Sequence, residues 1–252
     1  MNIEQIYNQH LRDKNAIVKA NREEGNHFHA SSSGSCFRQQ LYYINGYEPE
    51  EFDDPTIRRF EMGHSIHNSI QDALAKAEDN GRIKEILYIE ENIELPEFNL
   101  VGRLDIATID TDTNTLSVYD IKTAAAYTWT LNFGHLKNRA SNPNPHYKLQ
   151  LGIYTHAMMK RFKPDKVNMF LVWYRKNDSF WREQPIPIEW IEKSIEYWTE
   201  MLEIYEELGT DVDALEPEVT PGVPMEEWQC KTCNFKNICP SKIPTRKTKR
   251  RG

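Results

Sequence analysis

The sequence predicts an α/β protein in which a mixed β-sheet is flanked by helices. Apolar residues recur at helical spacing in the first 80 residues, three strand-like runs follow between residues 86 and 123, and a helix, a strand and another helix come after residue 145. Strands joined by a short turn run antiparallel, whereas strands separated by a helix can run parallel. The order of elements therefore favours one sheet with mixed strand directions.

The N-terminal third is predicted to be helical. Residues 2–22 form a polar amphipathic pattern, and a longer pattern covers residues 56–79 until Asn80-Gly81 ends it. The face of the longer helix that is expected to look inward is formed by Phe60, His64, His67, Ile70 and Leu74.

The middle of the chain is predicted to form strands over Ile86–Leu95, Leu100–Ile109 and Leu116–Thr123. The last two flank a polar turn at residues 110–115 and should form a hairpin. The elements predicted after this hairpin are a helix over about residues 146–162, a strand over Val167–Arg175, a strand over Gln184–Ile188 and a helix over Pro187–Leu208.

The sequence excludes a transmembrane helix and indicates one large domain, or one domain with an appendage. Hydrophobic residues make up 39% of the 252 residues and charged residues 27%, a balance typical of globular proteins. The longest near-continuous apolar run, Val167–Tyr174, is far shorter than the roughly 20 residues of a membrane span. The N-terminus lacks the basic start and apolar core of a secretory signal, so we expect a cytoplasmic protein.

Charge is distributed unevenly along the chain. From Trp228 to Gly252 there are eight basic residues and no acidic ones, so the residues before Trp228 carry a net charge of −15. An acidic body argues against nucleic-acid binding by bulk electrostatics alone, but not against an enzyme that handles phosphate with a metal ion and a few local cations. The basic tail, Lys242–Arg251, either contacts a nucleic-acid backbone or is solvated.

The most informative motif combines two aspartates and a lysine on adjacent predicted strands. Asp105 ends the segment Gly102-Arg103-Leu104-Asp105, and Asp120-Ile121-Lys122 lies in the next strand. Residues i and i+2 of a strand face the same side, so Asp120 and Lys122 project together, and the hairpin can bring Asp105 close. Such oxygen ligands suit Mg²⁺ or Mn²⁺ and, with them, phosphodiester hydrolysis.

An ordinary surface ion pair on a hairpin is the other interpretation of this motif, because Asp-x-Lys is common. The apolar neighbours argue against it. Asp105 lies between Leu104 and Ile106, and the strand of Asp120 begins Leu116-Ser117-Val118. Charges in such a setting are costly unless they are paired or bound to a metal.

Two further features support the motif. His67 lies on the inward face of the long helix, where it is either a hydrogen-bonded core residue or a ligand that would favour Mn²⁺ over Mg²⁺. Gln150 and Tyr154, at i and i+4, lie one above the other on the later helix. They either contact a phosphate or nucleotide, or form the edge of an amphipathic helix.

Four cysteines, three of them clustered, favour a metal site over disulfides in a cytosolic chain. Cys230, Cys233 and Cys239 follow a C-x2-C-x5-C spacing, and Cys36 lies far upstream. Zinc usually takes two close pairs, whereas three cysteines plus a distant one suit an iron–sulfur cluster slightly better. Either centre would join the N-terminal region to the C-terminus, and both remain open on spacing alone.

In their order and spacing these motifs resemble the PD-(D/E)xK nuclease superfamily, specifically its RecB-like branch with four cysteines. That branch includes CRISPR-associated RecB-like exonucleases, the nuclease domain of AddB and phage relatives. The matching segments are Cys36, Gly63–His67, Gly102–Asp105, Asp120–Lys122, Gln150–Tyr154 and Cys230–Cys239. The proline that nominally precedes the first aspartate in the superfamily is absent.

The resemblance implies a restriction-endonuclease-like core with a Cys-ligated cluster that joins the N- and C-terminal regions. It implies that His67, Asp105 and Asp120 bind Mn²⁺ or Mg²⁺ with help from the Ile121 carbonyl, and that Lys122 joins the two aspartates in catalysis. By the same resemblance, Gln150 and Tyr154 would bind DNA. The ligands of a [4Fe-4S] cluster, or of Zn²⁺ as the alternative, would be Cys36, Cys230, Cys233 and Cys239.

The expected organisation is an N-terminal helical extension over residues 1–30, a RecB-like nuclease domain over 31–240 and a basic tail over 241–252. The leading hypothesis is a metal-dependent deoxyribonuclease, a single-stranded DNA exonuclease with a structural [4Fe-4S] cluster. Because the sequence has no P-loop, unwinding would need a helicase partner. The alternative is a catalytically silent DNA-binding or scaffolding subunit of a recombination, replication or CRISPR-adaptation complex, and a third reading is an RNA or small-molecule hydrolase.

Aromatic and basic side chains between Lys122 and Gln150 could serve a single-stranded substrate, since stacking contributes about 1–3 kcal/mol per base. They could equally cap the core under a long loop. The residues are Tyr127, Trp129, Phe133, Tyr147, Lys137, Arg139 and Lys148.

Overall fold

The computed structural model describes residues 1–22, 26–135, 144–215, 218–220, 223–224 and 227–240. The basic tail, Lys137, Arg139 and the Asn142-Pro143 part of the loop lie outside them. The predicted α/β fold, a mixed sheet flanked by helices, is confirmed. In the described part of the chain, no helix has the length and apolar character needed to cross a membrane.

The helices are α1 (Ile3–Arg22), α2 (Phe37–Ile44), α3 (Asp54–Asp79), α4 (Ala126–Phe133), α5 (Pro145–Phe162), α6 (Glu189–Leu208) and α7 (Glu227–Lys231). The strands of the main sheet are β1 (Phe28–His29), β2 (Ile86–Leu95), β3 (Leu100–Asp110), β4 (Thr115–Ala124), β5 (Lys166–Arg175) and β6 (Phe180–Pro185). A separate small pair is formed by β7 (Glu218–Thr220) and β8 (Val223–Pro224).

The predicted strand over Gln184–Ile188 was placed too late in the chain. β6 covers Phe180–Pro185 instead, because the aromatic residues Phe180 and Trp181 pair with the end of β5. Aromatic side chains favour strands, and β6 ends at a proline, which cannot donate a ladder hydrogen bond. The following helix, predicted from Pro187, begins at Glu189.

The prediction that one face of α3 looks inward holds only for its second half. Ile70 and Leu74 pack beneath the sheet on a small core formed by Ile106, Ile121 and Val172. Phe60 and His64, nearer the start of the helix, are exposed. The first half of α3 contacts α1, through ion pairs such as Arg12–Asp54 at 2.6 Å.

The strand order is β1-β3-β4-β5-β6, with β2 also paired to β3. β2 runs antiparallel to β3 from Leu95–Leu100 to Ile86–Ile109 and so occupies one edge of β3 along its length. β1 and β4 must therefore share the other edge. β1 pairs with the first two residues of β3, and β4 pairs with it only from Ile106 onward. Residues 102–105 of β3 lie between them and have no strand partner on this edge. We call this segment the unpaired window.

The main core lies on the opposite face of the sheet from α3, where α5 and α6 pack. Leu116, Val118 and Leu171 are almost completely buried there. α5 approaches α6 closely at Gly152, where a Cβ atom would lie 2.2 Å from Ser194 Oγ and 2.3 Å from the Trp190 carbonyl oxygen. The glycine thus fixes the distance between these two helices and, through α5, the position of the residues that α5 presents to β4.

The two ends of the chain both join this core. Phe28 and Ala30, which follow α1, are buried. Near the C-terminus, Phe235 is 1% exposed and packs against Tyr42 and Tyr43 of α2, with ring centroids 5.1 and 4.7 Å away. The segment after α7 is therefore docked on α2 by aromatic packing.

Candidate active site

Asp105 lies in the unpaired window of β3, and its side chain accepts a hydrogen bond from a backbone N–H of β4 that has no strand partner on β3. Its Oδ2 accepts the backbone N–H of Ile121 in β4 at 2.7 Å. Because β3 and β4 diverge after Ile106–Tyr119, that amide has no ladder partner on β3. The carboxylate is thereby fixed between the two strands, as the hairpin prediction required.

His67 reaches the same carboxylate from α3. Its Nδ1 lies 3.5 Å from Asp105 Oδ1, and the side chains are 24% and 15% exposed. Burial acts to lower the pKa of His67, but the hydrogen bond to Asp105 and the charges of Asp105 and Asp120 outweigh it, so its pKa lies above the ordinary value. The imidazole and the carboxylate therefore stabilise each other's charged forms.

Asp120 and Lys122 project from β4 on the side covered by α5. Lys122 Nζ lies 2.7 Å from Asp120 Oδ2, with the aspartate side chain 1% exposed. Lys122 compensates the charge of this buried carboxylate, and Oδ2 has no other partner among the residues that the structure describes. A buried carboxylate is costly unless it is paired in this way or bound to a metal.

The pKa values of the two aspartates are shifted in opposite directions, although burial acts to raise both. Burial and the negative charge of Asp105 raise the pKa of Asp120 to about 6, although Lys122 opposes the shift. Burial also acts to raise the pKa of Asp105, but the hydrogen bond from His67 and the positive charges of His67 and Lys122 outweigh it and lower that pKa. Two carboxylates with such different proton affinities are typical of functional sites.

Gln150 and Tyr154 reach the site from α5 through Lys122. Lys122 Nζ donates to Gln150 Oε1 at 2.9 Å, and Gln150 Nε2 approaches the Tyr154 hydroxyl at 3.4 Å. Tyr154 is 1% exposed and packs against Gly102, where a Cβ atom would lie 2.8 Å from its ring. In this arrangement the pair supports the lysine from the core side.

The donor set fits a hard divalent cation in composition, since it offers two carboxylates and an imidazole. In the described residues, no three His, Cys, Asp or Glu side chains are already arranged as a metal cage. Their oxygens instead face the Ile121 amide and the Lys122 amine. Holding a cation would require these side chains to turn toward a common point.

The four cysteines lie near the two ends of the chain, and none forms a disulfide. In the part of the chain that the structure describes, they are not arranged as a group that could hold a metal ion. Cys36 precedes α2, and the other three lie in or just after α7. Burial, followed by the nearby Cys36, Cys233 and Cys239 thiols, raises the pKa of Cys230 to about 11. The buried Arg38 guanidinium also contacts Cys239 Sγ at 3.5 Å, a donor that would suit a thiolate.

The aromatic residues predicted to bind a single strand divide into two groups. Tyr127 at the start of α4 is 75% exposed, whereas Trp129 is 7% exposed. Phe133 and Tyr147 pack against the core, with rings 5.6 and 5.8 Å from that of Trp173. Capping of the core therefore accounts for these three, and Lys122 lies over the Tyr147 ring at 4.5 Å.

Sequence reasoning missed Gln71, which lies one helical turn after His67. It is 5% exposed, and its Nε2 donates to Glu90 Oε1 at 2.6 Å while approaching the Asp105 carbonyl oxygen at 3.5 Å. The i+4 spacing from His67 was the available signal.

Comparisons with known proteins bear on this arrangement. Residues 81–240 match the family model described as the PD-(D/E)XK nuclease superfamily. The crystal structure of SSO0001 is similar over 95% of this chain and 98% of its own, with a TM-score of 0.50 and 20% identity, which shows a shared fold. A crystal structure from Eubacterium rectale, provisionally described as an exonuclease, aligns over 90% of this chain and 92% of its own, with a TM-score of 0.46 and 14% identity. No curated protein sequence matches the chain.

Proposed function

Because the chain belongs to the PD-(D/E)XK nuclease superfamily, we propose that it is a metal-dependent deoxyribonuclease in which Asp105, Asp120 and Lys122 are the catalytic residues. The observation that carries the proposal is the convergence of two carboxylates, Asp105 and the buried Asp120, with His67 and Lys122. The carboxylate oxygens are the ligands that a hard divalent cation prefers. An ordinary surface ion pair would not be buried in this way.

The residues proposed to hold the cation are His67, Asp105 and Asp120, with the Ile121 carbonyl. Superfamily members generally use Mg²⁺ or Mn²⁺, and the imidazole in this set favours Mn²⁺. When bound, the cation would lower the pKa of a water molecule and offset negative charge on the phosphate in the transition state. His67 and the Ile121 amide hold Asp105 between α3 and β4, from where its carboxylate would turn to the cation.

Lys122 is proposed to act as a fixed positive charge at the scissile phosphate. Burial acts to lower its pKa, but the charges of Asp120 and Asp105 outweigh burial and raise it, so the amine is protonated at neutral pH. Gln150 holds the amine from the core side. A positively charged side chain that is fixed before the substrate arrives stabilises the charge that develops in the transition state without reorganisation.

The finer proposal is a single-stranded DNA exonuclease. Tyr127 supports it, because its exposed ring lies on α4, just beyond the end of β4 that carries Lys122. A flat exposed ring near the catalytic lysine offers a stacking surface for an unpaired base. Gln150 and Tyr154 remain predicted DNA-binding residues, and their burial favours an indirect role through Lys122.

The experiment that tests the proposed function is digestion of end-labelled single-stranded and double-stranded DNA with Mn²⁺ or Mg²⁺. Asp120→Asn and Lys122→Ala should each lower kcat by about 100-fold or more. Lys166→Ala, on the exposed start of β5, is the matched control and should retain activity. If either site variant cleaves at the wild-type rate, the assignment of the site is wrong.

We further propose that the four cysteines hold a [4Fe-4S] cluster, as in the RecB-like branch, with Zn²⁺ as the alternative. The effect of Cys36, Cys233 and Cys239 on the pKa of Cys230 supports a shared metal centre, although the thiols would have to rearrange to hold it. The Arg38 contact with Cys239 supports stabilisation of a thiolate. The test is purification without oxygen. A brown protein that loses its colour in Cys233→Ser favours the cluster, whereas a colourless protein containing one zinc favours Zn²⁺.

The division into an extension over 1–30, a nuclease domain over 31–240 and a tail over 241–252 is also a proposal. So are a helicase, recombination or CRISPR-adaptation partner. To test the need for a partner, a processive helicase is added and cleavage of duplex DNA is measured. The DNA is one that the chain alone leaves intact.

A further inference from the structure

Glu90 adopts a backbone conformation that is unusual for its residue type and position. It lies in the middle of β2 with φ at 55°, in the left-handed region that costs free energy for residues with a Cβ. The ladder pairs on either side, Ile89–Ile106 and Glu91–Leu104, put Glu90 directly opposite Asp105. Strain of this kind persists where surrounding contacts enforce it, and such sites are often functional.

Each oxygen of the Glu90 carboxylate contacts a neighbour of the candidate site. Oε1 accepts from Gln71 Nε2 at 2.6 Å, and Oε2 lies 2.6 Å from Arg103 Nε. Gln71 is buried, so its amide depends on Glu90 for a partner.

Both partners flank residues of the candidate site. Gln71 follows His67 by one turn of α3, and its amide also approaches the Asp105 carbonyl oxygen at 3.5 Å. Arg103 precedes Asp105 by two residues on β3. The Glu90 carboxylate thus joins the helix that carries His67 to the strand that carries Asp105, across the unpaired window.

We propose that Glu90 is a positioning residue that sets Asp105 and His67 at the distance needed to bind the catalytic cation. This inference rests on the proposed function. At Asp105, β3 pairs with neither β1 nor β4, and the ladder with β2 passes from Ile89–Ile106 to Glu91–Leu104 without a Glu90–Asp105 pair. The contacts of Glu90 with Gln71 and Arg103, which we call the clasp, restrain the backbone of β3 at this point.

The adjacent Glu91 provides a matched control. Its side chain is 32% exposed against 33% for Glu90, and it likewise pairs with an arginine, Arg161 of α5, at 3.0 Å. Glu91 differs in that its partner belongs to α5, so the pair does not join the elements that carry Asp105 and His67. A role limited to surface charge would make the two glutamates equivalent.

The first experiment is calorimetric titration of the whole chain with Mn²⁺ alone. Glu90→Gln should weaken Mn²⁺ binding by about 10–100-fold, the usual effect of removing a group that orients metal ligands. Glu91→Gln should bind like the wild type, and both variants should melt at similar temperatures. If Glu90→Gln binds Mn²⁺ as tightly as Glu91→Gln, the proposal is overturned.

The second experiment requires neither metal nor activity. Hydrogen exchange of the Ile121 amide reports whether Asp105 is held, because that amide donates to its carboxylate. In Glu90→Gln this amide should exchange about tenfold faster, as expected for a weakened hydrogen bond to a charged acceptor. Unchanged exchange in Glu90→Gln would contradict the positioning role.

Arg103→Gln covers the case in which a change at Glu90 prevents folding. The Arg103 side chain is 67% exposed, so its loss costs little stability while opening one arm of the clasp. It should accelerate Ile121 exchange in the same direction. If the wild type binds no Mn²⁺, the proposed function fails, whereas the exchange result still decides for or against the clasp.

Discussion

Single residues around Lys122 decide how the proposed catalytic charge is presented. The amine has Asp120 on one side, Gln150 on another and the Tyr147 ring beneath it. Of these, Gln150 is the neutral hydrogen-bonding partner that can be changed without altering the charge of the site. It therefore offers a clean test of whether orientation of the lysine matters.

Gln150→Leu should lower kcat by about 10–100-fold with little change in KM for DNA, since a hydrogen bond to a charged group is worth roughly 1.5–3 kcal/mol. Steady-state kinetics with a labelled single strand measures this. Tyr154→Phe is the comparison, and its effect should be small because the hydroxyl lies 3.4 Å from Gln150. Equal kcat in Gln150→Leu and the wild type would show that Lys122 is oriented by other groups.

His146 at the start of α5 makes the stability of the protein dependent on pH. Burial, followed by the positive charge of Lys122, lowers its pKa to about 4. The unfolded chain, with an ordinary histidine pKa of about 6.5, binds the proton more readily. The contribution of neutral His146 is therefore present above pH 6.5 and is lost as pH falls toward 4.

His146→Gln should remove that dependence, so that its unfolding free energy falls less than the wild-type value between pH 6.5 and 4, by up to about 3 kcal/mol. Urea unfolding at several pH values measures the difference. The variant keeps the backbone and Cβ of residue 146 unchanged, so its close contact with Gly34 is preserved. Parallel pH profiles for both proteins would mean that His146 titrates normally in the folded state.

At the scale of elements, the contact between α5 and α6 has no spare space. Gly152→Ala would bring a methyl group to 2.2 Å from Ser194 Oγ and should destabilise the protein by about 1–3 kcal/mol or more through overpacking. Gly63→Ala on α3 is the matched control, since its Cβ would meet only Thr123 Oγ1 at 3.7 Å. There the loss of glycine flexibility should stabilise the helix by about 0.5–1 kcal/mol.

Thermal unfolding of both variants decides the matter. If Gly152→Ala melts at the same temperature as the wild type, α5 and α6 can move apart without cost. In that case the argument that this contact positions Gln150 would lose its support.

The elements that the sequence predicted well are those with long periodic patterns. β2, β3, β4, α5 and α6 carry enough apolar residues to define their period, and the hairpin between β3 and β4 follows from its polar turn. α2 and α4 have eight residues each and were missed because two turns carry little periodicity. β1 has two residues and owes its existence to its pairing with β3.

The candidate site was predictable where it depends on local spacing. Asp120 and Lys122 share a face by the alternation of a strand, and Asp105 follows from the hairpin. The divergence of β3 from β4, which leaves Asp105 to accept the Ile121 amide, depends on tertiary packing. The left-handed Glu90 is likewise invisible in a sequence, because glutamate does not signal positive φ.

At the scale of the whole molecule, the C-terminal segment is held against α2 by Phe235. Phe235→Ala should cost about 3–5 kcal/mol, the usual effect of emptying a buried aromatic site. Thermal unfolding measures the loss, and limited proteolysis should then cut near residue 235 first. The exposed Phe180 provides the control, since its truncation to alanine should change stability little. Equal losses in the two variants would contradict a docking role for Phe235.

The window in β3 also has a consequence for the order in which the protein folds. It is bounded on one side by β1, where Asn99 donates to the Asn26 carbonyl across 73 positions of sequence, while Arg38 meets Cys239 across 201. Contacts between such distant segments carry a large loop-closure entropy and form slowly. The hairpin that carries Asp105, Asp120 and Lys122 is local by comparison. In a newly made chain, the hairpin should therefore form before the contacts that surround it. The proposed cleavage of DNA would then begin only when both ends of the chain have joined the core.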